Sequence, residues 1–92
     1  MEVLKPYRDR IDDLDDRIVD LLAERYAIIR EVGHFKAGED IPPILEDRVE
    51  EVRERAARRA ADKGLDPDFV RQLYTLMIDY AHDIEKEIIK AA

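Results

Sequence analysis

The most constraining feature of this sequence is an apolar periodicity that runs through its first third. From Leu4 to Phe35, apolar side chains recur every three or four residues, the spacing of one face of an α-helix. The stripe consists of Leu4, Tyr7, Ile11, Leu14, Ile18, Leu21, Ile28, Val32 and Phe35. Pro6 suits the first turn of such a helix. The pattern predicts one helix of about 30 residues, roughly 45 Å long at the usual rise per residue.

A helix of that length does not fit inside a chain of 92 residues. A compact domain of this size has a radius of gyration near ~12 Å and is about 30 Å across. The helix must therefore protrude, and its apolar stripe protrudes with it. A second copy of the chain is the expected cover, because closed two-fold dimers are the commonest oligomers.

Two shorter helices are predicted after the long one. The loop 38–43 contains a glycine and two prolines, which end the first helix. A helix from about Ile44 to Lys63 follows, and Gly64 suits its C-terminal stop. Asp66-Pro67 then provides an N-cap and a proline at the first position of a third helix. The apolar stripe predicted for that helix is Val70, Leu73, Met77, Ala81, Ile84 and Ile88.

The predicted fold is all-α, with three helices per chain, one long and two shorter, in an intertwined helical homodimer. Residues 1–92 are expected to form a single helical domain. No apolar run reaches the roughly 18 residues that a membrane span requires, and the first residues do not resemble a targeting peptide. The expected location is cytoplasmic, with no membrane partner.

The composition excludes several kinds of function. The 23 acidic residues outnumber the 16 Lys and Arg, giving a net charge of −7, so a nucleic-acid partner bound through a basic surface is not expected. The sequence contains no cysteine and no serine, and its three glycines form no phosphate-binding loop. The aspartates at 12, 13, 15 and 16 diverge around the helix and are interpreted as a solvated face. No metal or cofactor is predicted.

Arg25 interrupts the apolar stripe of the long helix at a position where the spacing expects an apolar residue. Lys36 lies eleven residues later, on nearly the same face and about 16 Å away. Together the two cations could hold a small anion. Alternatively, Arg25 extends its charge to solvent or pairs with a carboxylate of another helix.

Three further charged residues could contact a ligand, namely Arg8, Arg48 and Glu85. Arg8 is about 25 Å from Arg25 along the helix, so only the Arg8 of a second subunit could reach the same ligand. Arg48 lies just after the Pro-Pro loop on the inner side of the second helix and could face the same cavity. Glu85 interrupts an apolar lane of the third helix, and the pattern leaves open whether it contacts a ligand or forms a salt bridge. His34 and His82 are both predicted to face solvent.

These residues resemble the all-helical chorismate mutase family, which also includes isochorismate-pyruvate lyases. The resemblance covers nearly the whole chain and is carried by residues 7–15, 21–25, 31–36, 47–49 and 66–85. It implies that Arg25, Lys36 and Arg48 of one subunit and Arg8 of the other hold a small anionic dicarboxylate. Val32, Ile78 and Ala81 would form apolar walls of the pocket.

The implied activity is the pericyclic rearrangement of chorismate to prephenate. This reaction needs a compact substrate conformer and stabilisation of the charge that develops on the breaking ether. It proceeds without a covalent intermediate and without a cofactor, which is compatible with a chain that lacks serine and cysteine.

Two positions depart from the pattern of the mutases. Val49 stands in the substrate pocket where mutases often carry a glutamate that contacts the ring hydroxyl, and it favours the lyase branch. Glu85 stands where many members have a glutamine that donates a hydrogen bond to the ether oxygen. A glutamate donates only when protonated, so activity is predicted to fall as the pH rises.

The sequence leaves two alternative functions open. One is an isochorismate-pyruvate lyase, which would form salicylate and pyruvate in the same pocket. The other is a non-catalytic helical dimerisation module, in which Arg25 and Glu85 form a structural ion pair across the bundle.

Overall fold

A computed structural model describes all 92 residues and shows three α-helices. A 3₁₀ turn at Glu2–Leu4 leads into α1, Lys5–Glu39, which is followed by α2, Glu46–Asp62, and α3, Pro67–Ala91. The prediction of an all-α chain with one long and two shorter helices is confirmed. No helix carries an apolar segment long enough to cross a membrane.

The chain between α2 and α3 has the predicted glycine stop at the end of α2 and the predicted N-cap at the start of α3. Gly64 adopts a left-handed conformation with φ of 77° after the last turn of α2. The next residue, Leu65, then donates its backbone N–H to the carbonyl of Ala60 at 2.8 Å, which satisfies a free carbonyl of the helix end. At the start of α3, the Asp66 carboxylate accepts a hydrogen bond from the Asp68 N–H at 2.9 Å.

The end of α1 differs from the prediction in detail. Gly38 lies inside the helix, and Asp40 is the residue that turns into the left-handed region, with φ of 57°. Aspartate tolerates this conformation better than most residues. The N–H of Ile41 bonds to the Lys36 carbonyl at 2.9 Å and closes the helix end.

Helix α3 packs against both other helices, whereas α1 and α2 do not approach each other closely. On the α1 side, Tyr26 and Gly33 are buried and lie two turns apart. The Tyr26 hydroxyl donates to the carbonyl of Met77 at 3.0 Å. A Cβ at Gly33 would lie 3.1 Å from Ile88 Cδ1 and 3.5 Å from Glu85 Cα, so this glycine lets the two helices come close.

The side of α1 that contacts α3 is therefore not the predicted apolar stripe. Tyr26 is rotated about 100° from Arg25, the stripe position beside it. Ile28 and Phe35, which belong to the stripe, remain exposed. The stripe predicted for α3 is also wrong at Leu73, which is exposed, whereas Val70 and Ala81 of that stripe are buried.

The predicted protrusion of α1 is confirmed. The molecule measures 56 × 25 × 15 Å, and its accessible surface is 7330 Å², against about 5,500 Å² for a compact protein of 10.8 kDa. The stripe residues from Leu4 to Leu21 are each between 40% and 62% exposed. The chain by itself leaves this surface uncovered, and the homodimer that would cover it stays a prediction.

Candidate functional site

A cavity of about 280 Å³ lies among the three helices. This volume is near the lower end of the range for small-molecule sites. Its lining includes eight of the nine residues proposed from the sequence, namely Arg25, Val32 and Lys36 of α1, Arg48 and Val49 of α2, and Ile78, Ala81 and Glu85 of α3. Residues that are far apart in sequence thus meet around one space of suitable size.

Arg25 lies on the α1 wall of the cavity and forms no ion pair. Its guanidinium carbon is 5.5 Å from the centre of the Tyr26 ring and 6.0 Å from that of Tyr74, so two aromatic faces support the cation. Its Nη1 atom is buried without a hydrogen-bond partner. The ion pair between Arg25 and Glu85 that the dimerisation-module interpretation predicted is absent, and Arg25 keeps donors for an anion.

Lys36 and Glu85 form the buried ion pair of the cavity. Lys36 Nζ lies 2.6 Å from Glu85 Oε1, and the two side chains are only 13% and 5% exposed. The ammonium also donates to the backbone carbonyl of Pro43 at 2.9 Å. The contact with Glu85 is an ion pair without hydrogen-bond geometry, since Glu85 Oε1 is buried without a hydrogen-bond partner. An ammonium has three donors, so Lys36 keeps donor capacity for a further partner. The close approach of the helices at Gly33 brings Glu85 against α1.

Arg48 stands at the rim of the cavity. Its side chain is 62% exposed and pairs with Glu51 on the next turn of α2. Exposed pairs of this kind contribute little to stability, so the guanidinium can turn toward a ligand at small cost.

The walls between these charges are apolar. Ile78 and Ala81 of α3 are buried, and Val32 and Val49 are half-buried on the facing helices. Around them the lining has three cations and one carboxylate, although the chain as a whole has a charge of −7. The site is therefore a local concentration of positive charge, suited to a small apolar molecule with more than one negative group.

Arg8 is the one proposed residue outside the cavity. It is exposed on the N-terminal half of α1, about 25 Å along the helix from Arg25. Its own chain cannot bring it to the site, as expected from the sequence.

His82 was predicted to face solvent, and this is wrong. The side chain is half-buried and lines the cavity, one turn before Glu85 on α3. Its spacing of three residues from Glu85 could have indicated this position. The hydrogen bond between Lys36 and the Pro43 carbonyl could not be predicted from the sequence. The position of a backbone carbonyl depends on the conformation of its loop.

A second cavity of about 360 Å³ adjoins the first and shares Arg25 and Arg48 with it. Arg55 and Arg59 of α2 add two further cations, and Tyr74 of α3 also lines this cavity. The positive region thus continues from the first cavity along α2.

Comparisons with known proteins place these observations in a family. The family model for chorismate mutase type II matches residues 7–86. A 4-amino-4-deoxychorismate mutase of Streptomyces pristinaespiralis is 35% identical over 86 residues, which cover 94% of this chain and 67% of the relative. A chorismate mutase of Methanocaldococcus jannaschii is 22% identical over 90 residues, 98% of this chain and 91% of the relative.

A third relative is named for the lyase reaction, which is the alternative activity suggested by the sequence. The isochorismate pyruvate lyase of Pseudomonas aeruginosa is 35% identical over 77 residues, which cover 84% of this chain and 75% of the relative. The family model, which matches residues 7–86, spans all the residues that line the cavity.

Proposed function

This chain belongs to the chorismate mutase type II family, and we propose from that membership that it converts chorismate to prephenate in the cavity among its three helices. The observation that carries the proposal is the gathering of Arg25, Lys36 and Arg48 around a space of about 280 Å³ with apolar walls. Chorismate has the matching chemistry, with two carboxylates on a small hydrocarbon frame.

Arg25 is the principal carboxylate-binding residue of the proposal. Its buried Nη1 has no partner within the chain, and a buried guanidinium N–H left unpaired is costly. A substrate carboxylate would satisfy it with a charge-assisted hydrogen bond. Arg48, at the rim, would then close on the second carboxylate.

Lys36 and Glu85 would act on the ether oxygen of the substrate. The bond between carbon and this oxygen breaks while a carbon–carbon bond forms, and negative charge develops on the oxygen. The free N–H of the Lys36 ammonium can stabilise that charge because the ammonium is already held by Glu85 and Pro43. No proton transfer is required, so the contribution of these residues is electrostatic and positional.

The site would be completed by a second subunit. The exposed stripe of α1 is apolar and continuous enough to pair with its own copy, and Arg8 lies beside it. In a two-fold dimer the Arg8 of the partner can approach the cavity that its own chain cannot reach. The proposed substrate-binding set is therefore Arg25, Lys36 and Arg48 with the second subunit's Arg8.

The first test is an assay of prephenate formation from chorismate by the wild type and by Arg25→Ala. We expect turnover by the wild type and a loss of about a hundredfold in kcat/KM in Arg25→Ala, as for removal of charge-assisted hydrogen bonds to a substrate carboxylate. Arg30→Ala, an exposed arginine of the same helix, is the matched control and should keep wild-type activity. Equal activity of wild type and Arg25→Ala would contradict the assignment of the site.

The role of Glu85 has a separate test. An ionised Glu85 that holds Lys36 cannot donate a hydrogen bond, so the ion pair and a donor role for Glu85 exclude each other. If Glu85 acts as the donor in its protonated form, activity of the wild type falls as the pH rises, and Glu85→Gln removes that decline because an amide donates at every pH. A pH profile that is the same in both proteins would rule out this role.

The lyase reaction is the second candidate, supported by Val49 and by the lyase relative at 35% identity. Incubation with isochorismate, followed by salicylate fluorescence, distinguishes it. Salicylate from isochorismate without prephenate from chorismate would transfer the proposal to the lyase branch, and the cationic residues would keep their roles.

A further inference from the structure

We propose that the second cavity receives the acidic side of α1 from a second copy of the chain. Two aspartates of that helix, Asp12 and Asp15, pair there with two arginines of α2, Arg55 and Arg59. The inference rests on the dimer of the proposed function, and it assigns the contact that positions Arg8 at the substrate cavity. The arginines of this contact are positioning residues, since they act on the substrate only through Arg8.

The second cavity has positive charge that its own chain does not compensate. Its lining contains four arginines and no carboxylate. Arg55 and Arg59 are exposed and take part in none of the ion pairs of the chain. Like charges this close repel each other, and Nη1 of Arg25 is also buried without a partner. An occupant of this cavity should therefore carry negative groups.

The N-terminal half of α1 has such groups on one side of the helix. Residues 9–20 contain six aspartates and two arginines. Asp12 and Asp15 follow Arg8 by four and seven residues, so the three lie within about 60° of one another beside the apolar stripe. Both aspartates are exposed, and neither forms an ion pair within its own chain. An interface that covers the stripe and brings in Arg8 also brings in these two carboxylates.

The direction of the helices decides where the carboxylates arrive. Lys36 of α1 contacts the Pro43 carbonyl, just before α2. Arg25, eleven residues earlier in α1, instead lines the second cavity with Arg55, so α1 and α2 run in opposite directions. A two-fold dimer in which each Arg8 approaches Arg25 of the other subunit pairs the two α1 helices antiparallel. The α1 helix of the second subunit then runs parallel to α2.

The distances along α1 follow from the lengths of its side chains. An arginine on a helix reaches about one turn toward the N-terminus, whereas the shorter aspartate stays near its own backbone. The guanidinium of Arg8 therefore lies about 11 Å along the helix from the carboxylate of Asp12 and about 16 Å from that of Asp15.

The arginines of α2 have nearly the same spacing. The guanidinium groups of Arg55 and Arg59 lie about 10.5 and 16.5 Å along the helix from that of Arg48. The three arginines also lie within about 40° of one another around α2. With Arg8 and Arg48 on the same substrate, the first aspartate is level with Arg55 and the second with Arg59.

Charge reversal tests this contact because it changes which subunits pair. One variant carries Asp12→Arg and Asp15→Arg, and the other carries Arg55→Glu and Arg59→Glu. A homodimer of either variant has like charges at both contacts, whereas a mixed dimer has opposite charges at both. Native mass spectrometry of the two chains, mixed and renatured together, measures the fraction of mixed dimers, because the chains differ in mass.

The expected result is a strong preference for the mixed dimer. Random pairing gives about half mixed dimers, and we expect about nine-tenths. This fraction corresponds to an increase of about a hundredfold in the exchange constant, since every contact changes from like to opposite charge. Prephenate formation should be weak in each variant alone and should recover in the mixture, because Arg8 is again held at the cavity. A pairing within one chain would give no recovery.

Asp13→Arg with Asp20→Arg is the matched control for the acidic variant. Both residues are exposed aspartates of the same half of α1, rotated about 120° from the proposed pair. Mixed with the α2 variant, this control should give about half mixed dimers, because each mixed dimer then has one contact of like charge and one of opposite charge.

Two results would overturn the inference while leaving the proposed function intact. They are a mixed fraction of about half for the two charge-reversed chains, and an equal preference in the control, with the wild type dimeric and active in both cases. The second cavity would then be left to solvent or to a small anion. Lack of prephenate formation by the wild type would instead overturn the proposed function, whereas the pairing is read from the masses and does not depend on turnover.

Discussion

The two halves of α1 have similar apolar spacing and different structural roles. The C-terminal half, residues 25–39, packs its Tyr26 and Gly33 side on α3 and contributes Arg25 and Lys36 to the cavity. The N-terminal half, residues 5–21, makes no comparable contact, and its stripe is exposed. One half of the helix is thus stabilised by its own chain, and the other half has an apolar surface that its own chain does not cover.

The difference teaches that folding and completion of the site are separate steps in this molecule. Arg25 already has its position in a single chain, because Tyr26 and Tyr74 hold it. Arg8 has no such support and lies about 25 Å away on the same helix. If the proposed dimer forms, the interface that buries the stripe also brings Arg8 to the cavity of the other subunit. A variant that no longer dimerises should therefore also lose activity.

The largest expected effect is that of a charge in the stripe of the N-terminal half. Leu14→Asp places a carboxylate in the middle of the apolar surface, where burial of an unpaired charge is strongly unfavourable. We expect a dimeric wild type and a monomeric variant in sedimentation velocity. Activity should fall about a hundredfold, because the charge-assisted hydrogen bonds of the second subunit's Arg8 to the substrate are lost.

Val19→Asp is the matched control for that variant. Val19 is an exposed apolar residue of the same half, rotated more than 90° away from the stripe. It should remain dimeric and active. A Leu14→Asp protein that stays dimeric, or a monomer that keeps full activity, would show that the stripe does not perform the assigned role.

A smaller effect with a more specific outcome is expected from mixing two inactive variants. Arg8→Ala and Arg25→Ala each remove one cation from both sites of a homodimer. In a mixed dimer, one site loses both cations and the other keeps both. Random exchange of subunits should therefore restore about a quarter of wild-type activity, since about half of the dimers are mixed and half of their sites are intact.

Subunit exchange is achieved by mild denaturation and renaturation of the mixture, and each variant treated alone is the control. Activity of the mixture equal to the sum of the separate variants would contradict a site shared between subunits. It would also mean that Arg8 and Arg25 act within one chain, which the geometry of a straight helix opposes.

Most of the fold was predictable because it follows from helical periodicity, whereas the apolar walls of the cavity were expected only from the family resemblance. The ends of α2 and α3 were marked by Gly64 and Asp66, whose backbone and capping preferences are local properties. Arg25 and Glu85 were found because each interrupts an apolar lane. Such an interruption is visible without knowledge of the tertiary structure.

Features that depend on the rotation of one helix against another were not predictable. The spacing that defines the apolar stripe of α1 does not say which partner covers it, and α3 packs against the adjacent side with Tyr26 and Gly33. His82 was missed because its own lane on α3 is polar. Its position at the cavity follows only from how α3 is turned toward α1 and α2.

The smallest expected effect concerns two tyrosines, one in each half of α1. Tyr26 donates its hydroxyl to the Met77 carbonyl at 3.0 Å, and burial raises its pKa above the ordinary value of 10.0, with the neighbouring Arg25 opposing the shift. Tyr26→Phe should lower the free energy of unfolding by about 1 kcal/mol at pH 8, the contribution of one hydrogen bond. Tyr7→Phe, at an exposed tyrosine of the other half, should have no measurable effect in the single chain.

The pH dependence of this difference follows from the direction of the shift. A raised pKa in the folded state means that the contribution of the Tyr26 hydroxyl is complete below pH 10 and is lost as the pH rises through the folded pKa. Urea denaturation from pH 8 to 11 should therefore show the wild type and Tyr26→Phe converging in stability at alkaline pH. A difference that stays constant over this range would mean that the hydroxyl is not held by α3, and that the C-terminal half of α1 is less firmly packed than its contacts indicate.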